Sequence, residues 1–156
     1  MKLLPNQAFK VLKVRKDGTL LSTHGGSYTW DAPTKKDDGS WTPGKWTKPT
    51  KPSLCFQGYH LTDNPINWWN RSCLRAYLVE YKGETMGSFK SFDSKISVMT
   101  CRLLRPLTAE ELVPYNIFTK GEHKVSDEGK YVVLNSARLI AACPTSRMNI
   151  MAYDRS

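Results

Sequence analysis

The stretch LCFQGYHLTDNPINWWNRSCLRAYLVEYKGE, Leu54 to Glu84, carries a strand end, a turn, an aromatic helix and a second strand in one run. A strand closing on Gly58, Tyr59 and His60 would aim the His60 imidazole at whatever cleft lies beside the helix start. Thr62, Asp63, Asn64 and Pro65 read as the turn, with Asp63 or Asn64 able to cap the helix and Pro65 at its first position. Ile66, Trp68 and Trp69 follow as the aromatic part of that helix. From Arg75 to Tyr81 the chain alternates as a strand does, with Ala76, Leu78 and Glu80 on one side and Tyr77, Val79 and Tyr81 on the other.

Toward the N-terminus, the alternation of apolar and basic residues in AFKVLKV, ending at Val14, and the turn at Lys16, Asp17 and Gly18 before Thr19 to Ser22 predict an opening β-hairpin. Between them and the central stretch, Tyr28 to Ser53 holds Pro33, Pro43, Pro49, Pro52, Gly39 and Gly44, a composition that breaks helices and central strands. It reads as a long loop, basic over about residues 31–53, and loops of such length are commonly functional. Its second half spaces Lys45, Lys48 and Lys51 three apart among prolines, which in a polyproline II helix puts them on one face. Beside Trp41 and Trp46, that face could meet nucleic acid, phosphates through lysine and bases through ring stacking. The alternative is that the tryptophans pack the loop down and the lysines are merely solvated.

Toward the C-terminus, Glu84 to Ser94 reads as a Gly- and Ser-rich turn, and Lys95 to Arg105 as a further antiparallel strand. Thr108 to Glu111 has capping-box spacing, so a short helix should run from Ala109 to Val113 until Pro114 ends it. Lys130 to Leu134 and Leu139 to Ala142 are strand-like. The expected fold is α+β: a single domain over residues 1–156, mostly an antiparallel β-sheet with a few short helices.

The 156 residues, 40% of them apolar, suffice for a core. No apolar run is long enough to span a membrane and residues 1–13 lack signal-peptide features, so the expectation is a soluble, cytoplasmic protein with no membrane partner. Cys55, Cys73, Cys101 and Cys143 form no CxxC pair and are expected to be buried small hydrophobes instead of a disulfide framework. A net charge of +9, from 23 basic and 14 acidic residues, favours an anionic partner.

No Walker loop, GxGxxG, HExxH or GxSxG motif occurs, and the spacing of Cys55, His60 and Cys73 matches no zinc motif. The thiols could pair with His24, His60 or His123 in nucleophilic chemistry, and Glu80 and Glu84 sit where a general base could act, yet strand-end glutamates commonly only solubilise.

Two resemblances add to this reading. GKW, LC, GYH, the paired tryptophans, RAYLVEYKGE and LLRPLT resemble a group of small phage and prophage proteins over Phe9 to Leu107, a resemblance that carries no activity but implies an infected or lysogenic bacterial host. LLSTHGGS, GYHLTDNP and KYVVLNSARLIAA resemble, in order, three segments of the ADP-ribosyltransferase domain of the poly-ADP-ribose polymerase type. That resemblance implies NAD as cofactor, with His24 and Gly25 holding the ribose and nicotinamide amide. Gly58, Tyr59 and Asp63 would belong to the NAD-binding turn, where His60 replaces an aromatic residue of the family. Lys130 stands where the family has a glutamate that polarises a ribose hydroxyl; lysine cannot accept that proton, which leaves Glu122 or Glu128, with Glu128 the catalytic candidate. Tyr77, Trp68 and Trp69 are candidates to stack on nicotinamide. The acceptor implied is nucleic acid or a host protein. The rival is a non-catalytic phage module that binds nucleic acid or a host enzyme through the basic loop.

Overall fold

The computed structural model describes residues 1–24, 26–69 and 73–118, together with the backbone of three short strands at 131–133, 139–141 and 151–152. The chain divides into two compact units, Met1–Leu107 and Thr108–Ser156.

The first unit is almost entirely antiparallel sheet. Its strands are β1 (Gln7–Val14), β2 (Leu20–Ser22), β3 (Thr29–Trp30), β4 (Thr34–Lys35), β5 (Trp41–Thr42), β6 (Tyr59–Thr62), β7 (Leu74–Ser88) and β8 (Lys95–Pro106). The opening hairpin forms as β1 and β2, its turn closed by Gly18 at φ 85°. β1 also pairs along its length with the first half of β7, from Gln7 opposite Glu80 to Lys13 opposite Leu74. β7 pairs with β8, β8 with β6, and β6 touches β1 again at Phe9 opposite Thr62. Four strands therefore close into a small barrel-like ring, which removes most of the sheet's edges.

Closure explains a burial pattern that simple alternation does not. Ala76, Tyr77, Leu78 and Val79 are buried in succession, because both faces of β7 are covered here and a bulge falls between Leu78 and Val79. Ala8, Leu12, Leu61, Val98 and Leu103 pack with Tyr77 and Val79 in one cluster. β7 does not stop at the Gly83 region; it runs to Ser88, with Gly83 at φ 82° and Gly87 at φ 101° accommodating the irregular stretch. The reversal is confined to the residues between Ser88 and Lys95.

The long loop is partly ordered by pairing. β4 and β5 make a two-rung hairpin, and the segment after it lies along β8. The N–H groups of Gly44, Thr47 and Thr50 donate to the carbonyls of Leu103, Cys101 and Met99 at 2.9, 2.9 and 3.0 Å. Thr47 fastens this arm: its hydroxyl accepts from the Cys101 N–H at 3.0 Å, and its carbonyl accepts from the Thr100 hydroxyl at 2.7 Å. At Gly44 a Cβ would stand 2.2 Å from the Asp31 carbonyl oxygen, so only glycine fits.

Two further expectations need correction. The helix after Pro65 is a single 3₁₀ turn, Pro65–Trp68, without a side-chain cap from Asn64. The turn is held instead by the Thr62 hydroxyl, which accepts from Asn64 N at 3.0 Å. Cys55 and Cys73 are exposed, and only Cys101 is the buried small hydrophobe expected; Cys143 lies outside the described residues. Burial pushes the Cys101 thiol pKa up to about 12, so it is inert at neutral pH.

In the second unit, α1 (Ala109–Leu112) has the full capping box, Glu111 N to the Thr108 hydroxyl at 3.2 Å and Thr108 N to the Glu111 carboxylate at 2.9 Å. β9 (Ile117–Phe118) pairs in parallel with β12 (Met151–Ala152), and β10 (Tyr131–Val133) pairs antiparallel with β11 (Leu139–Ala141). Among the described residues, no helix is long and apolar enough to cross a membrane.

Candidate functional site

β1 and β6 share one rung, Phe9 opposite Thr62, and then part. Regular pairing would next oppose Lys10 to Leu61 and Val11 to His60, but these residues line a cleft of about 590 Å³ instead. Lys10 bridges the gap: its Nζ donates to the His60 carbonyl at 2.8 Å and stands 5.2 Å from the centre of the Trp30 ring. Desolvation lowers the Lys10 pKa to about 8, so the ammonium is charged at neutral pH and held at a cost.

Two aromatic groupings form the walls. Tyr28, Trp30 and Tyr59 meet with ring centres 5.4 to 5.6 Å apart, and the Trp30 indole N–H donates to the Ser22 hydroxyl at 3.1 Å. Burial and the neighbouring Tyr59 phenol push the Tyr28 pKa up to about 12, so its hydroxyl stays protonated. In the second grouping His24 meets Trp68 edge-on at 5.2 Å, and its Nδ1 lies 2.9 Å from the Thr23 hydroxyl. Lys95 Nζ stands 5.7 Å from the Trp68 ring centre and pairs with the half-exposed Asp93 at 3.3 Å. The Trp68 indole Nε1 is buried and has no hydrogen-bond partner among the described residues.

His60 is half-buried, and its Nε2 donates to the Ser53 carbonyl at 2.9 Å. Desolvation, and after it the Lys10 and Lys95 charges, lower its pKa despite that bond. The ring is therefore neutral at pH 7, with its lone pair on Nδ1.

His24 and His60, on different segments, thus line the same cleft, with Gly58 and Tyr59 beside them. Gly58, at φ 86°, has a packing reason too: a Cβ there would meet the Ser97 hydroxyl at 2.2 Å. Asp63 is not among the lining residues; its carboxylate is engaged by the Ser94 hydroxyl, which also contacts the Thr62 hydroxyl at 3.2 Å. These bonds pin the β7–β8 reversal to the end of β6 and so fix Lys95 at the cleft. Gly25, Glu122, His123, Glu128 and Lys130 lie outside the described residues. Glu80 accepts from Arg102 Nε at 2.9 Å and pairs with its Nη2 at 2.8 Å, so this carboxylate is committed to an ion pair. Among the described residues, no carboxylate lines the cleft.

The basic arm lies outside the cleft lining. Lys45, Lys48 and Lys51 are exposed. Trp46 has Lys82 Nζ at 4.1 Å and the Arg102 guanidinium at 4.8 Å from its ring centre, so it packs the arm onto the sheet. Trp41 is half-buried in the β4–β5 hairpin.

The sequence reading missed Lys10, Tyr28, Trp30, Cys55 and Lys95 as cleft residues. Lys10 and Lys13, three apart in one strand, fall on opposite faces, and nothing in the linear pattern says that the face of Lys10 meets a cleft. Cys55 entered the sequence reading only beside His60, as a thiol or zinc-ligand candidate. No family model, curated protein or solved structure matches the chain.

Proposed function

We propose that the Met1–Leu107 unit binds a nucleotide in the cleft between β1 and β6. One observation carries this reading: the lining combines aromatic rings with the ammonium groups of Lys10 and Lys95 and, among the described residues, contains no carboxylate. Rings offer a flat apolar surface to a base, and ammonium groups in a partly desolvated site favour a phosphate. The volume of about 590 Å³ lies in the range of small-molecule sites. Isothermal titration with ADP, NAD and adenosine tests this. Saturable binding of ADP and NAD, weaker by tenfold or more for adenosine, is expected; heat-silent titrations with all three would overturn it.

A second reading, a phage-type ADP-ribosyltransferase, draws support from the presence of His24 and His60, from two of the three resembling segments, in one cleft. NAD would be the substrate: the bond between the ribose C1′ and the nicotinamide nitrogen breaks, nicotinamide leaves, and an acceptor oxygen or nitrogen bonds to C1′ while losing its proton. Among the described residues the cleft supplies no carboxylate for that proton, so this reading requires Glu122 or Glu128, which lie outside them. Nicotinamide release from NAD in the presence of nucleic acid or host protein, abolished by Glu128→Gln, is its test; intact NAD after binding leaves the protein a binding module.

A further inference from the structure

Resting on the nucleotide reading, we infer that the cleft takes an unpaired nucleotide of a nucleic-acid strand whose neighbouring phosphates follow the Lys45, Lys48 and Lys51 row. The arm is a fixed track. Its N–H groups at positions 44, 47 and 50 are bonded to β8 in steps of three, and the residue following each of these is an exposed lysine. Asp31 holds its start by accepting the Lys45 backbone N–H at 2.7 Å. None of the three ammonium groups is in an ion pair among the described residues.

The track leads into the cleft. The Lys48 carbonyl accepts from the Tyr59 hydroxyl at 2.9 Å, and the Ser53 carbonyl accepts from His60. The next residues, Leu54, Cys55 and Phe56, are themselves cleft lining. A strand laid along the lysines therefore arrives where the rings are. Lys82 and Arg102 hold Trp46 against the sheet, so the inference assigns charge to the arm and base contact to the rings of the cleft. A paired, stacked base cannot enter such a site, which selects single strands or frayed ends over duplex.

Anisotropy with a labelled single-stranded oligonucleotide of mixed sequence, its duplex form and ADP as competitor tests this. The single strand should bind more tightly than ADP and than the duplex, with ADP competing. Its log K should fall against log salt with a slope of about −2, from roughly 0.7 per phosphate over three contacts. The triple change Lys45→Gln, Lys48→Gln, Lys51→Gln should abolish most of that slope and bring the strand's affinity down to that of ADP, leaving ADP binding as it was. A triple variant that binds the strand like the parent, or a duplex that binds equally well, would overturn the inference while ADP binding leaves the nucleotide reading standing. Loss of ADP binding in the parent protein would overturn both.

Discussion

Trp46 and Trp68 sit on the same small sheet unit in opposite circumstances. Trp46 lies on an arm whose backbone is hydrogen-bonded to β8, with two cations against its ring. Trp68 ends a single 3₁₀ turn, lines the cleft, and carries a buried indole N–H with no partner among the described residues. Trp46 thus holds the arm to the sheet, whereas Trp68, with Lys95 and His24 beside its ring, forms part of the cleft wall.

The sharpest way to break the contrast is at the join between arm and cleft. Gly58→Ala puts a Cβ against Ser97 at a backbone φ of 86°, and should destabilise the first unit by about 3 kcal/mol in denaturant melts. Thr47→Val removes the oxygen that accepts the buried Cys101 N–H, and should cost about 1–3 kcal/mol while leaving nucleotide affinity unchanged in the folded protein.

Lys10→Met separates stability from binding. Its lowered pKa means that the ammonium opposes folding at pH 7. Between about 8 and the ordinary 10.5 the unfolded chain holds a proton that the folded one does not, so stability rises with pH there. The variant should therefore be more stable than the parent below pH 8, lose that advantage as pH approaches 10.5, and bind ADP about tenfold more weakly. Trp68→Phe should leave stability nearly unchanged and weaken ADP about fivefold, whereas Trp46→Phe should do the reverse. The smallest effect is at His60, whose lowered pKa makes the unfolded state the better proton binder just below 6.5. Stability should decline as pH falls through that region, and His60→Gln should flatten this part of the melt profile.

What the sequence made legible is local. The hairpin of β1 and β2, the strand from Lys95 and the Thr108 capping box each follow from alternation or spacing within a few residues. Ring closure did not show, because pairing Lys13 with Leu74 joins segments far apart in the chain and leaves no periodic mark on either. The continuation of β7 past Gly83 was hidden because Glu84 to Ser88 is exposed on both faces and so shows no apolar alternation. Asp63, attractive as a cap or ligand residue, binds Ser94, which lies 31 residues on. The His60 cleft could be anticipated from its strand–turn context, but the lysines and the Tyr28, Trp30 and Tyr59 grouping depend on where β1 and β6 separate.

The most direct test of the account is to follow the indole N–H resonances of the five tryptophans in a ¹⁵N-labelled sample during an ADP titration. The Trp68 signal should shift saturably, with Trp30 responding and Trp46 still. A still Trp68 signal beside a moving Trp46, or no saturable shift at any indole, would contradict the assignment of the ligand site to the cleft.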